Sequence, residues 1–232
     1  KMSSQEIFVS KFDYNLDVVM CIDASGSMAT FLEDLKAKAL SFYQNLADKV
    51  AKQEECLLCL RVKVIAFRDY MFDEEPMVES EFFTLPEQNG GFKRFVDGIH
   101  ATGGGDEPEN ALEAIALALK SSWATEGGRR RHVILVFSGS HALQLGERAG
   151  CPNYPAGLPK DIDQLEAWWE GRESFGGTYK ARCGRLLLFV PDVDPWTEFT
   201  EWDRCWLNFP HDDNELQDFD IQNVVYMITN SF

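Results

Sequence analysis

Residues 18–28 read Val-Val-Met-Cys-Ile-Asp-Ala-Ser-Gly-Ser-Met, and this stretch decides the fold. The apolar run that ends at Ile22 predicts a buried strand. The segment after Met28 repeats apolar residues every three or four positions, which predicts a long helix with one buried stripe. A polar turn joins the two elements and carries one carboxylate and two hydroxyls, at Asp23, Ser25 and Ser27. This order favours an open α/β sheet, in which ligands bind at the carboxyl ends of the strands.

The polar turn has the donor chemistry of a divalent-cation site. Carboxylate and hydroxyl oxygens are hard ligands, which suit a small cation such as magnesium. Gly26, between the two serines, allows a sharp turn of the backbone. A second interpretation is compatible with the first, since Asp23 and Ser27 are residue types that cap the start of a helix. The sequence therefore predicts cation ligands here, and helix capping is the structural alternative.

Strand-like and helix-like segments alternate along the rest of the chain. Strands are predicted at 16–22, 57–67, 82–85, 132–137 and 186–190, and helices at 28–50, 92–99, 108–123, 161–171 and 215–229. The short strand at 82–85 follows a short connection, which suits an antiparallel edge strand. We therefore predict an α/β fold: a doubly wound, mostly parallel six-stranded sheet with one antiparallel edge strand and helices on both faces.

The length of 232 residues suits a single domain. We predict one domain over 1–232, with its core at about 16–228. Residues 146–184 hold three prolines and several glycines, and we expect an irregular, insertion-like segment there. Irregular segments of that length in compact domains are often functional.

A glycine-rich segment at 101–109 provides a second set of candidate ligands. It reads Ala-Thr-Gly-Gly-Gly-Asp-Glu-Pro-Glu, and the glycines permit close approach of the backbone. An acid at Asp106 or Glu107 suits the start of the helix that Pro108 opens. A purely structural glycine turn is the alternative. A phosphate-binding loop is disfavoured because no lysine follows and the local carboxylates repel phosphate.

Asp23, Ser25 and Ser27 resemble the first element of the metal-ion-dependent adhesion site of von Willebrand factor A domains, the family that includes integrin I domains. The order of strands and helices is similar to that family over nearly the whole chain. The resemblance implies the mostly parallel sheet with an antiparallel edge strand. It also implies a divalent cation as cofactor, Mg²⁺ or else Mn²⁺ or Ca²⁺, bound at the top of the sheet.

The same resemblance implies second-loop ligands at Asp106 and Glu109. Asp106 aligns with a position where many of these domains carry a metal-binding threonine. The Asp-Glu-Pro-Glu run is similar to a segment of integrin β-type domains whose glutamate reaches the metal. Thr102, upstream of the glycines, is a further candidate ligand.

The third element of the site departs from the family pattern. After the strand at 132–137 the chain reads Ser138-Gly139-Ser140-His141, and Gly139 stands where the family usually has an aspartate. Either the cation is bound weakly, or Asp106 and Glu109 carry the charge instead. Ser138 and Ser140 still offer hydroxyls for a metal-bound water.

Charge and cysteine content restrict the partners. The formal net charge of −16 argues against non-specific binding to nucleic acid or to an anionic membrane, because both need a positive field. It favours a cation or a basic partner. No apolar run is long enough to span a bilayer.

The six cysteines form no compact framework, and we expect reduced thiols in a cytosolic protein.

The predicted function is a non-catalytic adaptor, with an open position on the cation that accepts a carboxylate from a protein partner. The family resemblance is to bacterial cytosolic members that act as adaptors in stress-response or conflict systems. A magnesium-dependent phosphoester hydrolase using Asp23 is one alternative, although neither serine cluster has the G-x-S-x-G pattern of a nucleophile elbow. A degenerate scaffold that binds partners without metal is another. The oligomeric state is left open.

Overall fold

The computed structural model describes residues 13–52, 56–103, 108–127, 129–208 and 221–230. In these ranges one sheet is built from β1 (Asp13–Asp23), β2 (Cys56–Phe67), β3 (Met77–Glu79), β4 (Phe83–Leu85), β5 (Arg129–Phe137), β6 (Gly184–Phe189) and β7 (Cys205–Asn208). The α-helices are α1 (Ala29–Lys52), α2 (Asn89–Asp97), α3 (Ala111–Leu119), α4 (Ile162–Trp169) and α5 (Ile221–Asn230).

The sheet has the order β3-β2-β1-β5-β6-β7, and β4 also pairs with β2. All pairings among β1, β2, β5, β6 and β7 are parallel, while β3 and β4 run antiparallel to β2. The two short strands lie one after the other along β2, beside residues 65–67 and 60–62. The predicted antiparallel edge is therefore confirmed. It consists of two strands that share one position, so the sheet has seven strands and not the predicted six.

Strand register brings three strand ends together at one edge of the sheet. Asp23 lies opposite Phe67 of β2, and Ile22 lies opposite Phe137 of β5. The next strand in sequence, β2, pairs with one side of β1. Strand β5 comes later in the chain and pairs with the other side of β1. The carboxyl ends of β1 and β5 therefore flank the point where the strand order reverses, which is the usual ligand position in such sheets.

An apolar layer covers each face of the sheet. Neighbouring residues of β1 enter opposite layers, because strand side chains alternate between faces: Val18 packs in one and Val19 in the other. The first layer includes Phe31 of α1, and the second includes Ile115 of α3 and Trp169 of α4. Helices thus cover both faces, which confirms the predicted doubly wound α/β fold.

Element boundaries differ from the sequence prediction by a few residues at most ends, and two strands were missed. Strands β3 and β7 were not predicted, because their pairing with a neighbouring strand, rather than a local pattern, defines them. Helix α3 covers Ala111–Leu119 and is shorter at both ends than the predicted 108–123. Of the last predicted helix, 215–220 lie outside the described residues, and α5 begins at Ile221.

The predicted irregular segment, 146–184, contains α4 and a 3-10 turn at Ala181–Cys183. Asp161 caps α4, since its carboxylate accepts a hydrogen bond from the Gln164 backbone N–H at 2.9 Å. Trp169 is fully buried, and its indole N–H donates to the Asp203 carbonyl at 2.7 Å. This part of the segment is therefore packed into the second apolar layer.

The described cysteine thiols are free, at Cys21, Cys59, Cys151, Cys183 and Cys205. None of the helices in the described ranges combines the length and the apolar character needed to cross a bilayer.

Candidate metal centre

Asp23 ends β1 and is fully buried at the carboxyl edge of the sheet. Its Oδ1 accepts a hydrogen bond from the Ser25 backbone N–H at 2.9 Å, and its Oδ2 accepts one from the Ser138 hydroxyl at 3.0 Å. Burial raises the pKa of Asp23, while hydrogen bonds from Ser25, Ser138 and the Gly139 backbone oppose the rise. The carboxylate is thus held by residues at the ends of β1 and β5, the two strands that flank the switch point.

The two serines of the polar turn lie side by side. Their hydroxyl oxygens are 3.1 Å apart, with Ser25 buried and Ser27 exposed. Residues 26–28 form a 3-10 turn that leads into α1, and the Ser25 side chain makes no capping hydrogen bond to this turn. Asp23 binds the N–H of Ser25, which precedes the turn. The structure therefore brings Asp23, Ser25 and Ser27 together, as the sequence predicted.

Glu109 is held at the same edge by the segment that follows β5. Its backbone forms a parallel bridge with Ala142, and its carbonyl accepts a hydrogen bond from the Leu143 N–H at 3.0 Å. The side chain is only 1% exposed. Among the described residues, neither oxygen of its carboxylate has a hydrogen-bond partner. A buried, unpaired carboxylate is unfavourable unless it is neutralised or bound to a cation.

The charge of the Asp23 carboxylate affects the ionisation of Glu109. Burial is the largest cause that raises the pKa of Glu109 to about 8, and the charge of Asp23 comes next. Smaller contributions in the same direction come from Asp73 and Asp69, and Arg68 opposes them. The site therefore brings acidic side chains together in a buried place where their ionisation is unfavourable, and a divalent cation would offset that cost.

The second loop contributes one further described candidate, Thr102. Its side chain is exposed, and its backbone N–H donates to the Ala24 carbonyl at 3.1 Å. Gly103 has a φ of +77°, and any side chain there would overlap the carboxylate of Asp73. Only glycine fits this turn, which holds Thr102 against the residue after Asp23. Asp106 lies outside the described residues.

Arg68, which the sequence analysis did not single out, connects the loops of the site. It follows β2 and is 7% exposed. Its guanidinium donates to four backbone carbonyls, those of Ala24 at 3.1 Å, Thr102 at 3.2 Å, Glu75 at 2.9 Å and His100 at 2.6 Å. The planar fork of arginine suits this divergent set of acceptors. Arg68 thus fixes the polar turn and the second loop relative to each other and places a positive charge beside the acids.

Asp69 and Arg148 form a second feature that was not predicted. Asp69 is fully buried, and its carboxylate accepts hydrogen bonds from Nε and Nη2 of Arg148 at 2.9 and 2.8 Å. Arg148 belongs to the segment 146–184, so this ion pair ties that segment to the edge of the site. One signal was present in the sequence: Arg68 and Asp69 directly follow the predicted strand at 57–67, and therefore lie at the ligand-binding edge.

The donor set fits a small divalent cation. Asp23, Ser25, Ser27 and Glu109 offer hard oxygens, and the unpaired oxygens of Glu109 are the observation that most favours a cation. Within the described ranges, no group of three or more His, Cys, Asp or Glu side chains is placed to hold a metal. A cation here would therefore need the serine hydroxyls as well as the two carboxylates.

Comparison with known proteins relates this architecture to one class of domain. A family model described as von Willebrand factor A domain matches residues 17–127, just under half of the chain. That range contains most of β1, the polar turn, Arg68 and Glu109. No curated protein sequence matches the chain.

Two solved structures share the fold. The pilus adhesin SpaC from Lactobacillus rhamnosus GG matches with a TM-score of 0.53 and 10% sequence identity, over 94% of this chain and 31% of the adhesin. The chain thus spans about a third of that protein. The vWF domain of the type V pili tip protein Mfa5 from Porphyromonas gingivalis matches with a TM-score of 0.51 and 12% identity, over 93% of this chain and 95% of that domain. The chain therefore has the doubly wound α/β fold of von Willebrand A domains.

Proposed function

We propose that this chain is a von Willebrand A-type interaction module that binds a divalent cation at the carboxyl edge of the sheet and, through it, a carboxylate of a partner protein. The observation that carries the proposal is Glu109, a buried carboxyl group without a hydrogen-bond partner among the described residues, whose pKa is raised by burial and by the charge of Asp23. Like charges in a buried place favour a cation between them.

Each proposed ligand has a definite part in this function. Asp23 and Glu109 would supply the negative charge, while Ser25 and Ser27 would supply neutral oxygens. When bound, the cation supplies a Lewis-acidic position for a hard anionic oxygen of the partner. Arg68 holds the two loops in a fixed relative position, because its side chain donates hydrogen bonds to backbone carbonyls of both. Asp106 and Thr102 stay candidate ligands from the sequence.

The structural relatives support an interaction role without identifying the partner. They are domains of a pilus adhesin and of a pilus tip protein. The proposal also includes a bacterial origin, a cytosolic location and a link to stress-response or conflict systems. These three parts depend on the family resemblance of the sequence. The free thiols of the described cysteines agree with a reducing compartment.

Two competing functions receive less support. A metal-free scaffold is favoured by Gly139, but it leaves the buried Glu109 carboxyl group without a hydrogen-bond partner among the described residues. A phosphoester hydrolase needs, besides the metal ion, a positively charged side chain that is free to hold the phosphate. All three guanidinium nitrogens of Arg68 are engaged with backbone carbonyls, and Arg148 is paired with Asp69. The geometry therefore favours binding over catalysis.

Calorimetric titration with MgCl₂ and MnCl₂ tests the cation site. We expect saturable binding and a rise in melting temperature, because a ligand selective for the folded state stabilises it by about 2.7 kcal/mol at a hundred times Kd. Asp23→Ala should abolish both effects, and Glu109→Gln should remove most of the affinity, since it deletes one of the two charges.

The matched control is Glu33→Gln, which removes an exposed carboxylate from α1 and should leave cation binding unchanged. Absence of binding at millimolar metal, with the fold intact, would contradict the cation site and leave the metal-free scaffold. Hydrolysis of a generic phosphoester that depends on Mg²⁺ and on Asp23 would instead establish the enzyme.

A further inference from the structure

A cleft of about 490 Å³ lies along β3, and none of the proposed cation ligands lines it. Its apolar wall includes Met77, Val78, Leu117 and Pro155. Its polar rim contains three glutamates, at Glu74, Glu75 and Glu79. No lysine, arginine or histidine is among its described lining residues. The cleft thus combines an apolar surface with one sign of charge.

The charges at the rim are only partly compensated. Glu79 pairs with Lys63 at 2.7 Å. Glu74 and Glu75 are exposed, and within the described part of the chain their carboxylates form no ion pair. Two negative charges therefore remain available for a ligand at the mouth of the cleft.

Tyr70 provides an independent sign of a ligand. It lines the cleft and is only 4% exposed, yet its hydroxyl has no hydrogen-bond partner among the described residues. Its ring packs against Tyr154, with centroids 5.1 Å apart. Burial and the charge of Glu113 raise the pKa of Tyr70, so its hydroxyl stays protonated. A buried hydroxyl without a partner is unfavourable, and a polar group of a ligand would satisfy it.

We propose that this cleft binds a lysine or arginine side chain of a partner protein. The apolar wall suits the aliphatic stem of such a side chain, and the glutamates suit its charged end. A protein is favoured over a free amine because β3 ends the sheet. The outer main-chain groups of this edge strand have no strand partner in the described chain, and an extended segment pairs with such groups. This recognition does not depend on the cation site.

The test uses the full chain, labelled with ¹³C at the methionine methyl groups, in EDTA so that no cation contributes. Nα-acetyl-lysine-N-methylamide is titrated while the methyl signal of Met77 is followed by NMR. We expect a saturable shift with a Kd of roughly millimolar, as suits a single side chain. The neutral analogue, with norleucine in place of lysine, should bind with an affinity about fivefold lower, because it lacks the charge.

The double variant Glu74→Gln/Glu75→Gln should also weaken lysine binding about fivefold, since two exposed charge contacts are lost. The matched control, Glu198→Gln/Glu201→Gln, removes two exposed charges outside the cleft and should leave the affinity unchanged. Unchanged melting temperatures show that both variants fold. The proposal is overturned if the Met77 signal does not saturate, if norleucine binds equally well, or if the Glu74/Glu75 variant binds like the wild type.

Discussion

Glu109 is the residue that connects the motif to a cation. The polar turn by itself is satisfied without metal, since Asp23 accepts two hydrogen bonds and the serine hydroxyls contact each other. Glu109 adds a buried carboxylate for which no such partner is described. Burial raises the pKa of Glu109 to about 8, so its ionisation at neutral pH has a cost that a bound cation would offset. This coupling favours a ligand role over a structural one.

Gly139 is the residue whose replacement tests the third element of the site. Gly139→Asp places an exposed carboxylate one residue after Ser138, whose hydroxyl donates to Asp23. We expect cation affinity to increase about tenfold, because added ligand charge tightens hard-cation sites. The cation-free protein should lose stability, since the new charge repels Asp23 and Glu109. Calorimetric titration and urea denaturation measure the two effects.

Gly150→Asp is the matched control, because an added side chain at that glycine meets nothing within 4 Å. It introduces the same charge in the segment 146–184 and should leave cation affinity unchanged. If Gly139→Asp binds cation no more tightly than the wild type, residue 139 does not face the site, or the existing acids already saturate it.

At the scale of elements, the amino end of β5 is joined to the turn after α3 by a buried histidine. His132 is fully buried and stacks on Trp123, with ring centroids 4.9 Å apart. Its Nε2 lies 3.1 Å from the Ala124 carbonyl, and its Nδ1 has no described hydrogen-bond partner. Burial lowers the pKa of His132 to about 4. The fold therefore holds the neutral imidazole, with Nε2–H as donor.

This burial predicts a loss of stability in acid. The pKa of His132 is lower in the folded state than its ordinary value of 6.5, so protons bind more readily to the unfolded chain. Its contribution is complete above pH 6.5 and is lost as pH falls from 6.5 towards 4. His132→Phe, which preserves ring packing on Trp123, should show a smaller loss over this range. Urea midpoints across the range provide the measurement.

Comparing the wild type with His132→Phe separates the contribution of His132 to the pH dependence of stability from that of groups with the opposite effect. Burial raises the pKa of Glu113 and of Asp23, so those carboxyls favour the folded state as pH falls. His100→Gln, which changes an exposed histidine, is the control and should keep the wild-type slope. Identical acid slopes for wild type and His132→Phe would refute the assignment.

At the scale of the whole molecule, the net charge of −16 opposes compaction. We expect the urea midpoint of the cation-free protein to rise with NaCl between about 20 and 300 mM, because salt screens long-range repulsion. MgCl₂ at matched ionic strength should raise it further, and Asp23→Ala should remove only this additional rise. A midpoint that falls with NaCl would show that ion pairs outweigh the repulsion.

The fold was largely predictable because its signals are local. The strands at 16–22, 57–67 and 132–137 were visible as apolar runs, and α1 was visible from its spacing. The prediction missed β3 and β7, whose pairing with a neighbouring strand outweighs weak local preference. Asp23, Ser25 and Ser27 lie together because they are close in sequence, at the end of β1 and in the turn that follows, whereas their role as cation ligands stays a prediction.

The amino-acid sequence by itself determined the periodicity of strands and helices, and hence the layered α/β sheet with a polar turn at the end of its first strand. Only the tertiary structure decided which distant residues share that edge. Strand register and crossovers bring Glu109 beside the segment that follows β5, direct Arg68 to four carbonyls, and join Asp69 to Arg148. Local patterns carry periodicity along the chain, whereas these contacts arise from how separate elements pack.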